Sequence, residues 1–243
     1  MKTLTGFVLS FLLLLSMVAQ AQVKLDSLWT VWNDESAPDT SRASAIYKAT
    51  FDYYLFTKPD SAFYLAQILY DFAIERDLKK EMANALNMQG ISYYMRSDYH
   101  KTLEYYHRSL EIREEISDKR GIAGSLNNIG MIYSRLGEYS KALEVYERSL
   151  KIVEEISDYK VMAGLLTNIG KIYKNQNDYP KALEYYQKSL KISEEISDKQ
   201  GMASTLNNLG SIFFNQGSYP KALDFYHRSY KIREERSDKR GIA

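Results

Sequence analysis

The chain has 243 residues, 45% hydrophobic and 26% charged, with a net charge of +1. That balance gives no bulk attraction to nucleic acid or to an anionic membrane surface, so no nucleic-acid partner is expected. The lack of cysteine excludes disulfides, thiolate metal sites and cysteine nucleophiles. Four prolines and twelve glycines are too few for a loop-rich or strand-rich domain of this length.

Residues 1–21 read as an export signal. Met1-Lys2 is a short positive start, Phe7 to Val18 is apolar apart from serines, and Ala19-Gln20-Ala21 has the small-x-small form of a cleavage site. The apolar run is shorter than the roughly 20 residues of a spanning helix. The expectation is therefore an exported chain, periplasmic or secreted after removal of residues 1–21, with no membrane insertion of the mature part. No cysteine follows the run to carry a lipoprotein anchor.

Residues 22–38 form a capping helix and linker, in which Leu25, Leu28, Trp29 and Trp32 share one helical face. The two tryptophans could stack a ligand, but covering the open end of the helices behind them is the simpler role. Pro38-Asp39-Thr40 starts the next helix.

From here a period of 40 residues governs the chain. Gly90, Gly130, Gly170 and Gly210 keep that step, as do Tyr99, Tyr139, Tyr179 and Tyr219, and Ile112, Ile152, Ile192 and Ile232. Residues 39–78 are a diverged copy: Tyr53 falls on Tyr93 and Tyr133, Ser61-Ala62-Phe63 falls on Lys101-Thr102-Leu103, and Lys58-Pro59-Asp60 reads as its inter-helix turn. Clear copies occupy 79–118, 119–158, 159–198 and 199–238. Residues 239–243, KRGIA, copy Lys119–Ala123 and read as the start of a further repeat, truncated. A period of this size means stacked supersecondary units.

Each copy reads as two helices, A and B. In the copy at 119–158, Asp118 caps helix A, whose apolar positions include Leu126, Ile129 and Tyr133. Gly137 ends it, as Gly217 and Asn177 do in later copies, because a left-handed residue is cheapest as Gly or Asn. Asp98, Asp178 and Ser218 are natural caps for helix B, with Pro180 and Pro220 in its first turn. Gly130 and Ala142 remove bulk for a close A–B crossing, while Tyr133 and Tyr146 fill wider gaps beside it. With 21 tyrosines mostly at such recurring positions, packing explains the aromatic stripe better than a cofactor box does. A helix pair this short cannot bury its own apolar faces, which is the reason to stack.

The pattern Leu126, Ile129-Gly130, Tyr133, Ala142, Tyr146 and Ser149 resembles that of the tetratricopeptide repeat (TPR), over roughly residues 39–243. The resemblance implies an all-α fold, a right-handed α-solenoid of stacked antiparallel helix pairs, the TPR superhelix. The usual repeat has about 34 residues and a closing proline; these have 40 and carry Glu154 at that place. The longer form is similar to that of kinesin light chains, spindle-orientation adaptors and many bacterial signalling proteins. The turn Lys58-Pro59-Asp60-Ser61-Ala62 resembles the periplasmic TPR regions of sensor histidine kinases and nucleotide cyclases.

Catalytic chemistry is not legible. His107 and His227 occupy one repeat position three copies apart, His100 stands alone, and no metalloprotease, phosphate-loop or nucleophile-elbow motif occurs. Glu114-Glu115 and its copies Glu154-Glu155, Glu194-Glu195 and Glu234-Glu235 lie beside Lys and Arg, which reads as a solvated face. No enzyme, metal or cofactor is expected from these residues.

The candidate site is a row of amides. Asn128, Asn168 and Asn208 hold one helix A position in successive copies, with Asn127 and Asn207 beside two of them and Met88 replacing the row in the copy at 79–118. An amide offers a donor and an acceptor to the backbone of an extended peptide. In long-repeat relatives helix A lines a concave groove and this position holds peptide backbone, which the resemblance carries to Asn128, Asn168 and Asn208. The alternative is that these amides join neighbouring repeats or face water. One turn on, Ile91, Met131, Lys171 and Ser211 form a varied row, and Met95, Arg135, Asn175 and Asn215 the next. Arg135, Lys171 and Lys174 would suit an acidic group or free carboxylate.

The expected function is an exported scaffold that binds a peptide or protein partner through the helix A groove. The alternative is the sensor portion of a longer signalling protein, a histidine kinase or nucleotide cyclase, with catalysis beyond Ala243. Phe213, Tyr226 and Tyr230, with one side uncovered, would also permit self-association through the C-terminal end.

Overall fold

The computed structural model describes residues 22–235; the expected export signal and the start of a further repeat at 239–243 lie outside the described residues. The described part is all-helical. A first helix, α1, covers residues 22–33, followed by α2 (Asp39–Ala49), a π-helical turn (Thr50–Tyr54) and α3 (Pro59–Glu75). Next come four pairs of 17-residue helices: α4 (Lys79–Met95) with α5 (Tyr99–Glu115), α6 (Lys119–Arg135) with α7 (Tyr139–Glu155), α8 (Tyr159–Asn175) with α9 (Tyr179–Glu195), and α10 (Lys199–Asn215) with α11 (Tyr219–Glu235). These helices group into two compact units, one ending at Ile116 and one starting at Ser117.

Local chemistry explains where each helix stops. Gly137 and Gly217 take φ of 77° and 73°, and Asn177 takes 61°. Asp77, Ser97, Ser117, Ser157 and Ser197 adopt the same left-handed conformation at φ of 50–60°, at positions the sequence does not advertise with Gly or Asn. The next N–H then turns back to a carbonyl in the last helical turn: Glu138 N to Tyr133 O and Asp178 N to Tyr173 O, both at 2.9 Å. Restart is by side-chain capping. Asp98, Asp118, Asp158 and Asp178 accept from the backbone N–H of Lys101, Gly121, Val161 and Lys181. Asp198 holds the same place before α10 and accepts no such bond.

Two expectations need correction. Lys58-Pro59-Asp60 is not a turn: Pro59 and Asp60 open α3 and Lys58 is its N-terminal cap residue. Proline is suited there because the first helical N–H has no intrahelical partner to lose. The chain reverses just before α3, at residues 55–58, where Thr57 N and Lys58 N both reach Tyr54 O at 3.1 and 2.7 Å. Nor does Tyr146 fill a gap beside the close crossing at Gly130: its ring lies on the glycine itself. A Cβ there would lie 2.5 Å from Cε1 of Tyr146, and Gly90, Gly170 and Gly210 face Tyr106, Tyr186 and Tyr226 in the same way. The glycine makes a seat for an aromatic ring of helix B.

Those rings anchor the pairs. Tyr106, Tyr146 and Tyr186 are almost fully buried, and burial pushes all three phenols well above the ordinary tyrosine range. The Tyr186 hydroxyl has no partner among the described residues, a cost of about 1–3 kcal/mol set against roughly 1.5–3 kcal/mol from burying a large apolar side chain. A second bond recurs in every pair. Ser109, Ser149, Ser189 and Ser229 on helix B donate to the carbonyls of Ala83, Ala123, Ala163 and Ala203 on helix A, at 2.7–3.0 Å. The acidic pairs are exposed, yet their second members reach the lysine that opens helix A: Glu155 to Lys119 at 3.0 Å and Glu235 to Lys199 at 2.9 Å. Tyr159 breaks that series, and Glu195 turns to Lys191 instead.

In the first unit, Trp29 and Trp32 of α1 pack on a cluster that includes Ile46, Leu69, Phe72 and Met88. The Trp32 and Phe72 rings are 4.9 Å apart, and the Arg76 guanidinium lies 3.8 Å from the Phe72 centroid. In the second unit, Tyr146, Val153, Leu165, Ile169 and Ile172 join α7 to α8, and Tyr186, Leu209 and Ile212 join α9 to α10.

Candidate functional site

In the second unit the helix A positions singled out by the sequence sit on α6, α8 and α10. Asn127, Asn128, Met131, Asn168, Asn208 and Ser211 are half-buried, while Arg135, Lys171, Asn175, Asn207 and Asn215 are exposed. The amide row is partly bonded to itself: Asn168 Nδ2 on α8 donates to Asn127 Oδ1 on α6 at 3.0 Å. That bond uses one donor of Asn168 and leaves its carbonyl and second N–H for other contacts.

The row changes at the next helix. Position 167, which corresponds to Asn127, is a threonine, and its hydroxyl points away from the amide row. Thr167 Oγ1 lies 3.1 Å from Ala163 O, 2.7 Å from Ser189 Oγ and 3.2 Å from Thr205 Oγ1. Asn208 Nδ2 on α10, which would reach that position, is buried with no partner among the described residues.

Beside this break a cleft of about 410 Å³ opens between α8 and α10, with α9 as its floor. Of the predicted residues, Asn127, Asn168 and Lys171 line it and the other eight do not. Although Lys171 keeps an exposed surface, the protein atoms packed around its ammonium in the cleft strip it of water and, with the like charge of Lys174, hold it below the usual lysine range. It thus offers a charge that an anionic group would stabilise.

Among the other cleft residues, Thr167, Ser193, Asp198 and Gly201 escape the sequence reading. A signal for them exists: each departs from the residue 40 positions earlier or loses the bond that its counterpart makes. Among the described residues no cluster of His, Asp and Glu is suited to a metal ion, and no helix is long and apolar enough to cross a membrane.

Residues 81–155 and 161–235 each match the family described as tetratricopeptide repeat. The chain belongs to the tetratricopeptide-repeat family. A comparison with curated proteins gave no match. Among solved structures, BtubC (BKLC) from P. vanneervenii is 19% identical with a TM-score of 0.63, covering 90% of this TPR chain and 91% of its own. A Rap protein in complex with Competence and Sporulation Factor is 17% identical with a TM-score of 0.64, over 83% of this chain and 66% of its own. A putative kinesin light chain with nearly identical TPR-like repeats, from Podospora anserina, is 12% identical with a TM-score of 0.62, over 80% and 96%. At these identities the likeness shows the fold: stacked antiparallel helix pairs.

Proposed function

We propose that this TPR protein is a scaffold that holds a peptide or protein segment along the α6, α8 and α10 face. The observation that carries the reading is the convergence of Asn127, Asn168 and Lys171 in one cleft. Amide groups there can meet a peptide backbone, and an ammonium disfavoured by burial and by Lys174 is suited to a carboxylate. The frame of glycine, tyrosine and serine is constant between repeats while the residues on this face vary, as expected where a fixed scaffold presents a specific surface. The similarly folded Rap protein solved with Competence and Sporulation Factor supports the same use of the fold.

Calorimetry of the full chain against peptide pools with free and with amidated C-termini tests the reading. The free-carboxylate pool should bind more tightly, and Lys171→Gln should remove the difference. If binding is indifferent to a combined Asn128→Ala and Asn168→Ala change, the groove is not the site.

A second reading places these repeats in a longer signal-transduction protein of the histidine kinase or nucleotide cyclase kind, with residues 1–21 directing export. On α11, Leu223 is 69% exposed, whereas its counterparts Leu143 and Leu183 are half-buried against the next helices along the chain. A further helix pair, or a second copy of the chain, would cover that face. Reading the coding frame past residue 243, N-terminal sequencing of protein from the cell envelope, and light scattering of the purified chain separate these alternatives.

A further inference from the structure

The 40-residue step supplies an internal control for every position, and one set of positions changes character. Where α7 meets α8, Val153 and Val161 belong to the apolar cluster. Forty residues on, the same places hold Ser193 and Gly201, and both line the cleft. Ser193 has no solvent exposure and its hydroxyl has no partner among the described residues. A Cβ on Gly201 would lie 2.6 Å from Asp198 Oδ2 and 2.8 Å from Ser193 Oγ. The Asp198 carboxylate and the Ser193 hydroxyl therefore take up the place that a side chain at 201 would fill, side by side at the edge of the cleft.

Asp198 differs from its counterpart as well. Asp158 accepts the capping bond of Val161 N at 3.2 Å and pairs with Arg120 at 3.2 Å. Asp198 accepts no capping bond. Lys160 takes the place of Arg120, and among the described residues it makes no ion pair with Asp198.

The chain itself shows what can fill such a place. In the α4–α5 pair the position of Ser193 is occupied by Arg113, whose Nε donates to Ser109 Oγ at 3.3 Å and Nη2 to Asn84 Oδ1 at 2.9 Å. In the α8–α9 pair the serine persists as Ser189, but the arginine is gone and Asn84 is replaced by Gly164, beside which a Cβ would meet nothing within 4 Å. We propose that the α8–α9–α10 cleft is a subsite for a guanidinium group, supplied by an arginine side chain of the bound partner and countered by Asp198. The N-terminus of α10 favours anions, but with about half a positive charge against a full carboxylate. Lys171 lies seven residues along α8 from Gly164, about 10 Å at helical rise, so the cleft carries Asp198 at one end, where Lys160 also lines it, and Lys171 at the other. The inference rests on the peptide-binding reading only for the source of the arginine.

The test titrates the full chain with Nα-acetyl-arginine amide, its uncharged citrulline analogue and Nα-acetyl-glutamate amide, by calorimetry and by NMR of the Gly201 amide. The arginine probe should bind in the millimolar range and shift Gly201, with citrulline and the acidic probe weaker. Asp198→Asn should weaken it by about tenfold, the loss expected for a hydrogen bond to a charged group. Restoring the neighbouring repeat's valines, Ser193→Val with Gly201→Val, should abolish it at unchanged helix content; if that variant misfolds, Asp198→Asn, which keeps the shape, decides. The proposal is overturned by no saturable arginine binding, by equal binding of citrulline, by preference for the acidic probe, or by an unaffected Asp198→Asn. Arginine binding without binding of any peptide pool would uphold the cleft and reject the groove; the reverse result would reject the cleft alone.

Discussion

At the scale of single residues, two glycines of one helix separate packing from propensity. Gly130 and Gly124 both lie on α6, so each gains roughly 0.5–1 kcal/mol of helix propensity on conversion to alanine. At Gly124 a methyl group meets nothing within 4 Å, and Gly124→Ala should raise the urea midpoint. At Gly130 it would strike the Tyr146 ring at 2.5–2.9 Å. Tyr146 is a fully buried anchor that cannot swing away, so overpacking of about 1–3 kcal/mol should outweigh the propensity gain. Gly130→Ala should lower the midpoint, and adding Tyr146→Leu should recover part of the loss; an unchanged midpoint in Gly130→Ala would show that the ring is not seated on the glycine. The sequence marks both Gly130 and Tyr146 as scaffold residues. It cannot show that they touch, because a period repeats positions without stating which of them meet across a helix pair.

At the scale of the helix, caps are legible in the sequence and cross-links are not. A cap is local: an aspartate accepts an N–H three residues on, and Asp98, Asp118 and Asp178 are readable for that reason. Ser149 reads as a small residue of a repeat pattern, yet it donates to Ala123 O, 26 residues away on the partner helix. The acidic pairs read as solvent face, yet Glu155 reaches Lys119, 36 residues away; both partners are exposed, so the pair contributes at most about 1 kcal/mol. The cleft is hidden for a related reason. It exists because Val153 and Val161 become Ser193 and Gly201, two changes eight residues apart on successive helices that the fold brings face to face. The same contrast predicts a difference between equivalent aspartates. Asp158→Ala removes a cap and should cost about 1 kcal/mol, whereas Asp198→Ala, with no cap to lose, should cost a few tenths. Urea unfolding monitored by helix content measures both, and equal losses would mean that Asp198 caps α10 in solution.

At the scale of the whole molecule, the period makes the fold legible from end to end, and it also repeats one ionisable group through the core. Tyr106 in the first unit, with Tyr146 and Tyr186 in the second, are almost fully buried, and desolvation raises each phenol above its ordinary value. Below about pH 10, the usual tyrosine value, both folded and unfolded chains keep these protons, and stability from this source is fully present. Above it the unfolded chain releases them while the folded chain does not. The unfolded state then binds fewer protons, and stability falls as pH rises, by up to about 1.4 kcal/mol per pH unit for each tyrosine. Lys171 acts in the opposite direction. Its folded value is lowered, so its penalty is relieved as pH rises toward the ordinary lysine value of about 10.4, but it is a single group exposed to the cleft and cannot offset the phenols. The chain should therefore lose helix in a cooperative alkaline transition that begins above about pH 10, with the last tyrosinate absorbance rising together with the loss of far-UV circular dichroism. Tyr146→Phe keeps the ring on Gly130 and removes the ionisable group, so it should move the transition to higher pH. Complete tyrosine ionisation with helix intact would mean that these rings are not sealed in the helix pairs as the structure shows them.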